Sequence, residues 1–583
     1  MSTRRLVSTV LALACAFGAS VTVAAGVRSS LPLKIRPTGV TSIAAAATAA
    51  PSAAGTSAAD SVRSVDRESK HAAMLDRLLK DRRASASAAV RAAAAAMALP
   101  SITGLPVSGE TENVFGFTGL SNVDQANVNE GFSVEPPDQA LCVGNGFVFE
   151  GVNDAFAVYA ENGRLVAGPA QANAFYGVDF SLNVSDPRCI YDSASNRWFV
   201  TMIEYDNFFS DNHLKIAVSQ TGDPTGLFNL YDINVTNDGS DFLAGDCPCL
   251  GDQPLIGADA NGFYISTNSF GQFSFEGPQI YALSKAALAA GAPAPAVRFD
   301  QLSFLLPSPE VGVSIQPSTT PPGARFAAGT EFLAQSMLVF KRESQLAVWT
   351  INNTQAIDTN PALLTMSLAV TPSEVYVLPV AAKQKAGPTP RAETAAITDT
   401  EFGANEQDLD GNDTRLQQVT YLNGQLWTTV GTASVASGTP VRDAAAWFVI
   451  NVSNPPRAPT AAIAAQGYVA GPANSHLLYP ALTVNANGVA AIVFTLTGPT
   501  YFPSAAFWNF RSPSSIHMLF PGTAAEDGFA AYRFARPRWG DYSAAAVGSD
   551  NSIWMATEMI PGGFRKKAAN WGTFVARWSQ GGN

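Results

Sequence analysis

From about residue 132 to the C-terminus, short runs of β-branched and aromatic residues alternate with polar or acidic turns, and the pattern returns about seven times. DQALCVGNGFVFEGVNDAFAVYAENG, DPRCIYDSASNRWFVTMIEY, DQPLIGADANGFYISTNSF and GDYSAAAVGSDNSIWMATEMI are four of the copies. No copy can bury both faces of its own small sheet. Neighbouring copies must therefore stack, and a ring of about seven closes as a β-propeller. The units fall near 132–170, 186–235, 250–300, 325–356, 413–453, 477–511 and 538–579. Between the runs stand Asn145-Gly146, Asn162-Gly163, Asn261-Gly262, Asn423-Gly424 and Asn487-Gly488, pairs that supply the positive φ angles of tight hairpins. Longer connections, at 236–249, 305–324 and 381–412, are expected on the faces of the ring. The segment 101–131 is the candidate to close the ring by lending a strand to the last blade. The expected fold class is all-β: a propeller of about seven four-stranded blades over 101–583, preceded by an Ala-rich helical or disordered segment.

Ahead of the repeats the pattern changes twice. Residues 60–100 combine strong helix formers, mixed charge and a thin apolar stripe of Val65, Met74, Leu75, Leu78 and Leu79, which predicts one helix, continuous or interrupted, ended by Pro100. Residues 26–59 are rich in Ala, Ser, Thr and Pro and read as a low-complexity linker or pro-segment. Residues 1–25 read as a signal peptide, with Arg4 and Arg5 before an apolar stretch and Val23-Ala24-Ala25 as the cleavage site. The stretch is also long enough to remain as an anchor. No later segment is long and apolar enough to span a bilayer.

Charge sharpens this division. The first 100 residues carry 13 Lys/Arg against 5 Asp/Glu, and the remainder 23 against 42. An acidic body argues against nucleic acid as a partner, because phosphates demand a basic surface. It is compatible with divalent cations and with solubility outside the cell, as for a secreted, cell-surface or periplasmic chain whose partner is an extracellular glycan or a protein. If Cys15 leaves with the signal, Cys142, Cys189, Cys247 and Cys249 remain, an even count that predicts disulfides. With one residue between Cys247 and Cys249, a direct bridge is expected to be strained. Pairing each with Cys142 or Cys189 is the preferred reading, with a metal-thiolate site and free thiols as the alternatives.

EPPDQALCVGNGFVFEGVNDAFAVYAENGRLV, DPRCIYDSASNRWFVT, IAVSQTGDPTG, GFYISTNSF with IYALSKAALAAG, TRLQQVTYLNGQLWTT and RWGDYSAAAV…SIWMATEM…NWGTFVARW occur here in that order. Together they resemble a group of uncharacterised secreted bacterial β-propeller proteins, over about 130–580 and more weakly at 305–410. The resemblance implies a fold and a compartment and carries over no catalytic residue. The Cys247-Pro248-Cys249 loop departs from the Tyr-Pro usual at that turn in the group.

Candidate chemistry is sparse. In NEQDLDGNDTR, the alternating oxygens of Asp408, Asp410 and Asn412, followed by Asp413, could converge on Ca²⁺. The match to a calcium loop is incomplete, and the competing reading is an acidic solvated loop. Arg538, Trp539, Asp541 and Tyr542 could form a stacking and hydrogen-bonding platform for a ligand, against a purely structural role in turn and inter-blade packing. No nucleophile elbow, zinc-protease helix, P-loop or dinucleotide fingerprint is present, and no organic cofactor is indicated. His213, His476 and His517 read as lone histidines. Glu204, Asp206 and Glu558 are weak acid–base candidates, and GSDNSIW and DSASNRW look like structural turns before Trp554 and Trp198. The leading expectation is a ligand-binding module that catalyses nothing. The alternatives are a propeller hydrolase or lyase on extracellular carbohydrate using carboxylates, and a structural cell-envelope protein.

Overall fold

The structure is a computed structural model; it describes residues 21–28, 31–49, 58–109, 113–129, 136–206, 210–236, 247–300, 302–387, 408–436, 440–454, 459–526, 538–562 and 570–579. Seven four-stranded antiparallel blades are formed by the described residues. Their innermost strands are Ala140–Gly144, Asn183–Asp192, Leu250–Ala258, Gln316–Thr319, Val419–Leu422, His476–Val484 and Ala544–Val547, in blades 1 to 7. Blades 4 and 5 merge into one sheet where Ser318 and Thr319 pair in parallel with Val419 and Thr420. The strands alternate as expected, but both faces are buried, because each blade packs on two neighbours. Apolar clusters fill the gaps between blades. Phe199 of blade 2 stacks on Phe263 of blade 3 at 4.9 Å. Tyr264 of blade 3 shares a cluster with Trp349 of blade 4, and Leu141 and Val148 of blade 1 share another with Trp554 and Val575 of blade 7.

The hairpin signals act in three ways. Asn145-Gly146 and Asn423-Gly424 have positive φ at both residues, whereas only the glycine is positive in Asn162-Gly163 and Asn487-Gly488. Asn261-Gly262 has positive φ at neither. There the Asp259 carboxylate accepts from both backbone amides, at 2.8 and 2.6 Å, and shapes the turn instead.

Ring closure falls on the segment suggested by the sequence. Val114–Ser121 is the outermost strand of blade 7, antiparallel to Gly572–Trp578. Glu150 of blade 1 stitches the seam, accepting from the Leu120 amide at 2.9 Å and from the Thr573 hydroxyl.

The region expected as a linker is built differently. Val21–Arg28, Leu31–Ile35 and Pro37–Thr41 add fifth strands to the outer edges of blades 4, 3 and 2 in turn. The short helix Ile43–Thr48 then buries Ile43 and Ala46 against blade 1. These residues need no core of their own, because existing edges supply the backbone partners. The expected cleavage site at Val23-Ala24-Ala25 falls within the first of these strands, while residues 1–20 lie outside the described residues.

The charged segment is two helices, Ala58–Ser85 and Ala88–Ala96, the second capped by Ser87. Midway along the first, His71 meets Asp252 of blade 3's innermost strand at 3.0 Å and stacks on Phe270 at 4.2 Å. Leu75 packs with Val311, Val313, Leu338 and Val339 beyond it. No helix among the described residues is long and apolar enough to cross a membrane.

Burial raises Glu150 and Asp154 each to about 7. Each therefore favours the fold fully below its unfolded value, near 4, and loses that contribution as pH rises through about 7. His213, raised to about 9 chiefly by its hydrogen bond to Asp232, acts in the same direction at higher pH. Carboxylates held low, such as Asp232 and Asp550, act only below this window. We expect the melting midpoint to fall between pH 5 and pH 8. Calorimetry should show a shallower fall in Glu150→Gln; a midpoint that rises across this range would refute the assignment.

Candidate functional site

Seven innermost strands converge on one axis and leave a channel. In or just ahead of each strand stands a residue with positive φ: Asp138, Asp186, Gln253, Ser314, Asn412, Tyr479 and Gly540. For a residue as bulky as Tyr479, at φ 51°, this is a strained conformation. The strands enter the channel through these kinks, so their polar side chains crowd around one mouth.

That mouth is a continuous polar network. Asp138 accepts from Asn153 Nδ2 at 2.8 Å and from the Asp541 amide at 2.8 Å. Asp186 accepts from the Gln253 amide at 3.1 Å and from Ser185 at 3.1 Å. Burial, then the charges of Asp541 and Asp186, push Asp138 well above the usual carboxylate range, and a side-chain hydrogen bond joins it to Asp186. Across the ring, Arg415 forks onto Asp413 at 2.9 and 2.7 Å and reaches Gln253 Oε1 at 2.5 Å. Arg188 lies over the Tyr542 ring, 3.3 Å from its centroid, and the Tyr542 hydroxyl donates to the Pro187 carbonyl at 2.9 Å.

Below the network the channel opens into a cavity of about 110 Å³ lined by all seven blades. Gln139, Arg188, Gln316, Gln417 and Thr483 bring polar groups to its wall. Gln418 spans from blade 5 to blade 7, donating to the Ala545 carbonyl at 2.6 Å and accepting from the Ala545 amide at 3.1 Å. Several polar atoms here have no hydrogen-bond partner among the described residues: Arg188 Nε and Nη2, and the Oε1 atoms of Gln139, Gln316 and Gln417. Gln316 is oriented by its own Nε2, which donates to the Ile256 and Pro317 carbonyls at 3.1 and 2.9 Å. Asp192 is the one carboxylate among the lining residues, and Lys285 holds it at 3.1 Å.

The residues singled out from sequence fare unevenly. Trp539 and Tyr542 are each 1% exposed, and Trp539 donates to Thr495 at 3.0 Å; Arg538 and Asp541 pair with each other. The proposed stacking platform is thus a packed wall, in keeping with its structural reading. Asp408, Asp410, Asn412 and Asp413 share a loop but form no cage. Lys383 takes Asp408 at 2.6 Å, Arg415 takes Asp413, and Asn412 turns its side-chain oxygen to the Asp413 amide. Among the described residues no group of three or more His, Cys, Asp or Glu is placed to hold a metal ion.

The four cysteines form disulfides as expected, but the preferred pairing needs correcting. Cys142 and Cys189 join the innermost strands of blades 1 and 2, with Cα atoms 5.7 Å apart. Cys247 and Cys249 pair with each other at a Cα separation of 4.4 Å, still within the range a bridge tolerates. Of the acid–base candidates, Glu204 pairs with Lys215 at 2.9 Å, Asp206 accepts from the Ser210 amide at 2.7 Å, and Glu558 is buried and raised by burial and Glu526. None of them lines the cavity. His213 and His476 sit on Asp232 and Asp443, and His517 packs on Phe507. In the two Trp turns, Asp550 binds Ser552 and Asp192 binds Ser195, as structural turns do. The loop positions 237–246 and 388–407 lie outside the described residues.

Sequence reasoning missed Gln139, Arg188, Gln316 and Gln417 as a group. Three of them follow a kinked turn within a few residues (Asp138-Gln139, Asp186-Pro187-Arg188 and Ser314-Ile315-Gln316), a recurrence that could have flagged them.

No protein-family model matches the chain, and no curated protein matches it. Solved structures similar to it are propellers at low identity. An exo-β-1,3-galactanase from Clostridium thermocellum is 9% identical, covering 81% of this chain and 98% of its own, with a TM-score of 0.28. The Dos1 propeller is 8% identical, covering 81% and 82%, with a TM-score of 0.31. A Trypanosoma rangeli sialidase mutant displaying trans-sialidase activity is 12% identical, covering 73% and 57%, with a TM-score of 0.30. These likenesses concern the fold; the blade count above rests on this chain's own strand pairing.

Two outcomes are expected. Cys142→Ser should lower stability by ~2–4 kcal/mol in urea titration, because the bridge closes a long loop; no loss would place the bridge outside the native state. Adding calcium or a chelator should leave the melting midpoint unchanged, and a rise with calcium would restore the Asp408–Asp413 site.

Proposed function

We propose that this chain is an exported propeller that binds a small polar ligand of the glycan class inside its central channel and does not transform it. The observation that carries the reading is the cavity, walled by seven strands and bordered by polar side chains that lack partners. A concave, enclosed wall on which a few polar side chains converge is the usual form of a small-molecule site. A volume of about 110 Å³ offers roughly seven or more water-sized positions. That suits a molecule the size of one sugar ring and excludes a folded partner.

The same geometry weighs against carboxylate hydrolysis. A glycosidase places two carboxyls ~5–9.5 Å apart on either side of the scissile bond. Here Asp138 and Asp186 are hydrogen-bonded to each other within the wall, and Asp192 faces the cavity without a second acid. Export rests on the N-terminal apolar stretch and on two disulfides, which persist in oxidising compartments.

Saturation-transfer NMR with a panel of monosaccharides tests this. Signal transfer is expected to at least one of them, with no product after prolonged incubation. Ala546→Phe, which fills the channel from blade 7, should abolish the transfer. Retained transfer in that variant would move the site elsewhere, and product formation would favour a hydrolase or lyase.

A further inference from the structure

We infer that the channel ligand carries a carboxylate beside its hydroxyl groups, as a hexuronate does, and that Arg188 is the residue that selects it. The inference rests on the channel being the binding site.

Three other cations among the described residues spend donors on acceptors of the fold. Arg415 has Asp413 and Gln253, Lys285 has Asp192 and the Asp259 carbonyl, and Arg442 donates to the carbonyls of Gly471, Pro472 and Ile102. Arg188 differs from them in lining the cavity, and its Nε and Nη2 have no acceptor among the described residues. Burial pulls its pKa down, with Tyr542, Asp138, Asp186 and Asp541 opposing the fall. A guanidinium nevertheless stays protonated in a protein.

The nearby acids do not supply the missing contact. Asp138 and Asp186 spend their oxygens on each other, on Asn153, on Ser185 and on backbone amides. Asp541 is taken by Arg538. The Tyr542 ring lies against one face of the guanidinium, and Tyr542 is itself pinned through its hydroxyl to the Pro187 carbonyl. The cation is therefore held in a fixed plane before any ligand arrives. A planar guanidinium so placed matches a carboxylate better than a hydroxyl, since charged, paired N–H···O bonds are the stronger kind.

The rest of the wall asks for the opposite chemistry. The side-chain amides of Gln139, Gln316 and Gln417 and the hydroxyl of Thr483 line the cavity, and hydroxyl groups suit such a wall. One anionic group set among hydroxyls describes a sugar acid, and a neutral hexose would leave the guanidinium unpaired.

Isothermal titration of the full chain with sodium glucuronate and with glucose decides the matter. Glucuronate should bind the wild type at least about tenfold more tightly than glucose, the factor lost when a charge-assisted contact is removed. Arg188→Gln should erase the preference by weakening glucuronate binding, and Arg188→Lys should retain part of it, because the charge remains without the planar fork. Each variant's melt shows whether it is folded, and the wild-type comparison stands without them. Equal affinity for the two probes would overturn the carboxylate inference and leave the channel as a binding site. Absence of binding by both would overturn the inference together with the channel reading.

Discussion

The ring has to close, and most of what this protein is follows from that. The apolar clusters between blades are shared by neighbours, so a blade has half a core until the next one arrives. The last gap, between blades 7 and 1, is the one that sequence order cannot fill. It is filled by Val114–Ser121 pairing with the C-terminal strand, and by Glu150 binding Leu120 and Thr573 across it. Glu150 and Thr573 are 423 positions apart. Loop-closure entropy grows only with the logarithm of length, so such a seam costs little more than a short one. Its polar core is nevertheless one buried carboxyl, so the closure is tuned by protonation.

Closing seven strands round an axis also creates the channel, and the channel concentrates strain. The kinked residues at its mouth include Asp138, Asp186, Gln253 and Tyr479, none of them glycine. Asp138, Asp186 and Gln253 are tied into the network of Asn153, Ser185, Arg415 and Asp541, which fixes backbone conformations that would otherwise relax. The network uses most of its own donors and acceptors, leaving Gln253 Nε2 without a partner among the described residues. What it leaves over, chiefly Arg188, is turned toward the cavity wall.

The blade count and the closing strand were legible because alternation and turn chemistry are local properties. Asn145-Gly146 and Asn423-Gly424 act as their residue types require, whereas Asn261-Gly262 does not, because Asp259 overrides the local preference with its own hydrogen bonds. The N-terminal strands were not legible. Their stability comes from edges more than a hundred residues away, and a segment rich in Ala, Ser and Pro gives no sign of which edge awaits it. The site suffered from the same non-locality. Trp539 and Tyr542 look like ligand-binding residues in sequence and are packing residues in space. The missing partners of Arg188 Nε and Nη2 appear only once the neighbouring acids are seen to be committed elsewhere. The cysteines show the limit of spacing arguments: adjacency of blades 1 and 2 pairs Cys142 with Cys189 and leaves Cys247 and Cys249 to each other.

The N-terminal belt runs against the order of synthesis. Moving forward along the chain it visits blades 4, 3, 2 and 1, while the blades themselves are made as 1, 2, 3 and 4. Val21–Arg28 is among the first segments made, yet its partner strand, Thr365–Val377, emerges more than 300 residues later. At ~5–20 residues per second that is a wait on the order of tens of seconds. The belt therefore stays unpaired while the ring grows, and its final docking reports that four blades are already in place.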